Sequence, residues 1–168
     1  MALVRYRIDS SRSKIVVMAR SSVHDTETVW SKMSGYIEVD PENPSAGATA
    51  VIDVDMSEFD AGDWLKNRKL KKDLDVSRYP KATFTLDSLA DVKGDTARTE
   101  AKATGTIDWR TRKAKVEATG HASLSASEVQ AEASFDLDVR DVGVKPPKIL
   151  MFKVEEVVSV KVELRASA

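Results

Sequence analysis

The residue types that most often carry out chemistry are scarce in this sequence. It has no cysteine, and its two histidines are His24 and His121. Without a thiol there is no disulfide, no thiolate metal site and no cysteine nucleophile. Two isolated histidines do not make a metal site. His24 falls at a strand end in Arg20–Asp25, where a turn histidine is expected, and His121 has the outward parity between Gly120 and Ala122. Acid–base catalysis by carboxylates needs a pair of acids facing one space, and the apolar faces identified below contain none. The sequence therefore predicts no catalytic residue, no metal, no cofactor and no enzyme. One cluster could still contact a ligand: Lys66, Arg68, Lys69, Lys71 and Lys72. Such runs are commonly solvated helix faces. The functional alternative is a mouth that attracts the charged or polar head of a ligand, or an anionic membrane surface on which each cation contributes about 1 kcal/mol. Asp63, Asp73 and Asp75 offset part of that charge.

The elements that must position these residues are strands. Apolar residues recur at every second position: Val4, Tyr6, Ile8; Ile52, Val54, Met56; Ala82, Phe84, Leu86; Ala131 to Val139; Val158 to Leu164. One dry and one wet face per segment is the pattern of antiparallel strands around a single core. Strands are expected over roughly 3–9, 13–22, 31–40, 47–57, 81–91, 95–110, 112–125 and 128–140, with a last one near 154–165. Asp40–Pro44, Lys93-Gly94-Asp95, Arg110-Thr111-Arg112 and Val144–Lys148 separate them as turns. Only 60–75 departs from this period. It reads as a short helix that Asp60 could cap, with Leu70 and Leu74 one turn apart. The fold class is all-β: an antiparallel eight-stranded β-barrel with one short, lid-like helix, and 1–168 is expected to be one domain.

Such a barrel is just wide enough to be filled by side chains, yet several inward positions are small. One face carries Ala97, Thr99, Ala101, Ala103, Gly105, Ile107 and Trp109; the next carries Ala114, Val116, Ala118, Gly120, Ala122 and Leu124. Alanine is a poor strand former, so its repetition on the dry face suggests free volume, which an apolar ligand would occupy. Alternatively, the small residues make room for Trp30, Trp64, Trp109, Phe135 and Phe152, and the barrel is packed solid. The candidate ligand contacts are Ile37, Val54, Phe84, Ala101, Ala103, Ile107, Trp109, Val116, Ala118 and Phe135. Lys66, Arg68, Lys69 and Lys71 are candidates for a ligand head or membrane contact.

The same segments resemble a known family. Tyr6–Ser10 with Arg12–Ile15, Ser34-Gly35-Tyr36-Ile37, and Asn67–Leu70 through Arg78-Tyr79-Pro80-Lys81-Ala82-Thr83-Phe84 are similar, in order and spacing, to the YceI-like family. So are Gly105–Trp109 and Arg140-Asp141-Val142-Gly143. These are lipocalin-like barrels associated with polyisoprenoid binding. The resemblance implies a tunnel for an isoprenoid chain, with a polar head near one mouth, and members that are often dimeric.

The expected function is thus a non-catalytic carrier for a polyisoprenoid, isoprenoid quinone or other long apolar molecule. The alternative is a packed barrel serving as a protein-interaction or stress-associated structural module. A net charge of −1, from 26 basic and 27 acidic residues, gives no reason to expect a nucleic-acid partner. Apolar runs of a few residues, as at 149–152, predict no stable membrane insertion. A homodimer is an open expectation, since sheet edges invite pairing. The N-terminus carries no secretory pattern, so the expected location is cytoplasmic, or periplasmic if a leader has been removed.

Overall fold

The computed structural model describes residues 2–22, 25–145, 148–149, 152–153 and 155–168. His24, and Pro146 and Pro147 of the expected rigid turn, lie outside the described residues, as does the side chain of Phe152.

The chain closes into an antiparallel barrel of eight strands, and three of its staves are each broken in two. The first stave is β1 (Val4–Ile8) and β2 (Lys14–Ala19), and the second is β3 (Thr26–Trp30) and β4 (Met33–Val39). The third is β5 (Thr49–Asp55) and β6 (Phe59–Asp60). Then follow β7 (Lys81–Gly94), β8 (Thr99–Trp109), β9 (Arg112–Leu124) and β10 (Glu128–Asp138). A short β11 (Lys148–Ile149) and β12 (Phe152–Lys153) pair with each other, apart from the barrel. The last stave, β13 (Val157–Ser167), pairs with β10 on one side and with both β1 and β2 on the other, which closes the ring.

The alternation placed the barrel strands correctly except at β3 and β6, and it did not foresee the short β11–β12 pair, whose Lys148 was expected in a turn. Thr28 and Trp30 do alternate with Glu27 and Val29, but the segment is short and Trp30 can equally be read as a filler of someone else's core. The break between β1 and β2 is a 3-10 turn, Ser10–Arg12, capped by Asp9. It is fastened to the closing strand: the Arg165 N–H donates to Ser13 Oγ at 3.0 Å and the Asp9 N–H to the Arg165 carbonyl at 2.8 Å. Gly35 in β4 has φ of +134°, and a Cβ there would meet the Val51 carbonyl, so no other residue fits that bend.

The one α-helix among the described residues, α1 (Trp64–Leu74), crosses between β6 and β7. Its N-cap is Asp63, not Asp60: the Asp63 carboxylate accepts from the Lys66 N–H at 2.9 Å. Asp60 instead accepts from the Gly62 N–H at 2.8 Å and shapes the turn ahead of the helix. Asp75, in the left-handed region with φ of 53°, ends it.

The two ends of the barrel differ. At one, Tyr6, Val129 and Ala166 are almost completely buried, with Ile8, Val39 and Leu124 around them. The Tyr6 hydroxyl donates to the Ser125 carbonyl at 2.5 Å, tying β1 to the β9–β10 turn. Burial, with the nearby Asp40 charge, raises the Tyr6 pKa above its ordinary value. This end is packed; the helix-covered end is not.

Candidate functional site

The open half of the barrel encloses a cavity of about 300 Å³. That volume is at the lower end of the usual range for small-molecule pockets, ~300–1,000 Å³. β13 contributes Val158, Val160, Val162 and Leu164, and β10 contributes Ala133, Phe135 and Leu137. β2, β3 and β5 add Ile15, Val17, Trp30, Ile52 and Val54. β7, β8 and β9 add Ala82, Phe84, Ala103, Ile107, Trp109 and Ala118. The helix closes over it with Leu70 and Leu74, and Val139, Val142 and Val144 beyond β10 complete the end.

Most polar groups in this wall are turned away or already engaged. The Trp109 indole N–H donates to the Tyr79 carbonyl at 2.9 Å and the Trp30 N–H to the Met56 carbonyl at 3.3 Å. Both rings therefore offer hydrocarbon to the cavity. Thr83 donates to Asp53 at 2.6 Å. Of the two carboxylates in the lining, Asp73 is held by Lys69 at 2.9 Å, and Glu155 is solvent-exposed. A wall of this kind removes a ligand from water and offers it few directional bonds, so selection rests on length and shape.

Seven of the ten expected contacts face the cavity: Val54, Phe84, Ala103, Ile107, Trp109, Ala118 and Phe135. Ile37, Ala101 and Val116 do not. Ile37 lies opposite Tyr6 and Ala101 opposite Gly120, both toward the packed end. Val116 is buried opposite Gly105, and the Phe84 ring covers Gly105 so closely that a Cβ would meet it at 2.2 Å. Parity fixes which face a residue shows, not its height along the barrel. None of Lys66, Arg68, Lys69 and Lys71 lines the cavity; they sit on the helix that covers it. Of the bulky residues that could have filled the interior, Trp30, Trp109 and Phe135 stand in its wall, and Trp64 points into solvent. His121 is on the outer wall, 3.3 Å from Glu132.

One fastening was only hinted at in the sequence, by the odd Arg110-Thr111 turn. Both residues have positive φ, 56° and 62°, where glycine or asparagine is usual. Arg110 offsets this by donating to the Leu74 carbonyl at the end of α1 and to the Gly143 carbonyl at 3.3 Å. Its guanidinium also lies 5.0 Å from the Tyr79 ring centre and 5.7 Å from that of Trp109. The turn thus fastens the helix to the cavity's end wall.

The YceI-like domain model matches residues 6–166. This chain belongs to the YceI-like family. Among solved structures, BcnA from Burkholderia cenocepacia superimposes with a TM-score of 0.73 at 23% identity, over 95% of this chain and 99% of that one. A polyisoprenoid-binding domain from Saccharophagus degradans, implicated in plant cell wall breakdown, gives 0.75 at 16% identity over 97% and 98%. A YCEI protein from Campylobacter jejuni gives 0.63 at 16% identity over 84% of each chain. At such identities these likenesses carry the fold alone. No curated protein matches the chain. The YceI-like barrel described here has no helix long and apolar enough to cross a membrane among the described residues.

Proposed function

We propose that this YceI-like barrel is a non-catalytic carrier that holds a long apolar molecule, a polyisoprenoid or isoprenoid quinone, in its interior. The observation that carries this reading is the cavity of about 300 Å³ with an almost wholly hydrocarbon wall. The family, and the polyisoprenoid-binding domain among its structural neighbours, support the same class of ligand. Binding is driven by desolvation: each buried methylene contributes about 0.8 kcal/mol, less the cost of ordering the chain. The contacts proposed for the ligand are Val54, Phe84, Ala103, Ile107, Trp109, Ala118 and Phe135.

Trp30 and Trp109 stand in the cavity wall, so a quinone bound there quenches their emission. The test is a titration of the Trp64→Phe variant, whose remaining tryptophans both face the cavity, with an isoprenoid quinone. Saturable quenching with a one-to-one end point supports the proposal. Absence of saturable quenching, with added polyprenol also failing to bind by calorimetry, contradicts it.

A further inference from the structure

The helix that covers the cavity has a second face. Among the described residues, the large hydrophobic side chains left exposed are Leu3, Trp64, Leu65 and Val157. Two of these are consecutive in the first turn of α1, Trp64 at 68% exposure and Leu65 at 61%. Side chains three and four apart share a helix face. Leu70, Asp73 and Leu74 define the face turned to the cavity. Trp64, Leu65, Arg68, Lys69, Lys71 and Lys72 are all exposed and fall on the opposite arc, which carries no carboxylate. Asp73 lies on the inner flank and engages Lys69. Arg68, Lys71 and Lys72 have no ion-pair partner among the described residues.

The geometry points to α1 as a docking element for an anionic lipid surface, with Trp64 and Leu65 entering the headgroup layer and Arg68, Lys71 and Lys72 meeting the lipid charge. An exposed tryptophan beside an apolar neighbour and a one-signed row of cations match the two forces that hold interfacial helices at bilayers, apolar insertion and attraction to anionic headgroups. Leu74 is the one fully buried residue of the helix, so its outer face is not shaped by packing against the barrel. This inference rests on the carrier reading: the docked helix would set the cavity's covered end against the membrane that supplies an insoluble ligand. An acidic protein surface would satisfy the cations but gives no role to the wet Trp64–Leu65 pair.

The experiment is co-sedimentation of the full chain with vesicles of equal parts phosphatidylcholine and phosphatidylglycerol, against vesicles of phosphatidylcholine alone. Tryptophan emission is read alongside. Trp30 and Trp109 are already buried, so a blue shift on binding reports Trp64. The expected result is salt-sensitive binding to the anionic vesicles with a blue shift. Each of Arg68→Gln, Lys71→Gln and Lys72→Gln should lower the partition coefficient about five-fold. Trp64→Ala with Leu65→Ala should abolish the residual binding at high salt. No binding, or binding untouched by these exposed substitutions, overturns the proposal. So does charge-only binding without a blue shift, equal on polyglutamate beads, which marks an acidic protein as the partner. Quinone quenching in vesicle-free solution is read on the unmodified chain as well as on the charge variants, which should keep it because none of the three cations lines the cavity. Absence of quenching in an unmodified chain that binds the anionic vesicles strikes the carrier reading, and quenching in an unmodified chain that does not bind them strikes only the docking face.

Discussion

Ala118→Leu separates a hollow barrel from a packed one by the sign of its effect. Ala118 lies opposite Ala103 in the β8–β9 ladder, and both face the cavity. Leucine adds three carbons. At about 30 Å³ each, the share of liquid volume that one water takes, they occupy roughly 90 Å³, which the cavity of about 300 Å³ accommodates. In the ligand-free protein the added carbons leave water for a dry cavity, so stability rises by about 1–2 kcal/mol after side-chain ordering. For a chain of this length that raises Tm by about 2–4 °C per kcal/mol. The same three carbons exclude about three ligand methylenes, worth about 2.4 kcal/mol, so Kd weakens roughly 50-fold. Thermal denaturation of ligand-free protein and the quinone titration together provide the assay. A filled interior predicts the opposite first sign, since overpacking costs ~1–3 kcal/mol. A lowered Tm in delipidated Ala118→Leu would refute the hollow-barrel reasoning.

Three further outcomes follow from particular contacts. Gly105→Ala pushes a methyl into the Phe84 ring, which then swings into the cavity; urea denaturation should show a loss of about 1 kcal/mol, the low end for overpacking, and titration a weaker Kd. Tyr6→Phe removes the bond to the Ser125 carbonyl, costing about 1 kcal/mol, and leaves quinone affinity unchanged because it acts at the packed end. The carboxyls of Asp9, Asp55, Asp87 and Asp138 are held below their ordinary value of 3.8, chiefly by hydrogen bonds from Ser11, Ser57, Lys115 and Arg140 respectively. Groups with depressed folded pKa stabilise above the unfolded value and lose that contribution as pH falls through the folded one. Tm should therefore be flat from about pH 7 to about pH 5 and fall below about pH 4, less steeply at high salt because these groups are partly open to solvent.

The barrel was legible because its strands alternate cleanly and its inner faces are built from alanine, valine and a few aromatics. The alternation of Ala103, Gly105, Ile107 and Trp109 placed their face correctly, and the small residues indicated the cavity. It could not say that Ile37 and Ala101 sit at the packed end, because height along a barrel depends on stagger between staves that are distant in sequence. The break between β1 and β2 was expected, between strands over 3–9 and 13–22, but its fastening by Arg165 far along the chain is a property of the closed ring. Asp60 and Asp63 are equally good caps on paper, and only the Phe59–Trp30 pairing of β6 with β3 carries the chain past Asp60 before the helix begins. The exposed tryptophan was the least legible feature, since Trp64 in sequence looks as much a core residue as Trp30 or Trp109.

The most direct test of the carrier function is the mass of the folded protein as purified, compared with its denatured mass and with an organic extract of the same sample. The proposed function predicts a stoichiometric apolar species lost on denaturation, or, in protein prepared without it, one-to-one uptake of added polyprenol or isoprenoid quinone. A folded protein that carries nothing and takes up neither would contradict it.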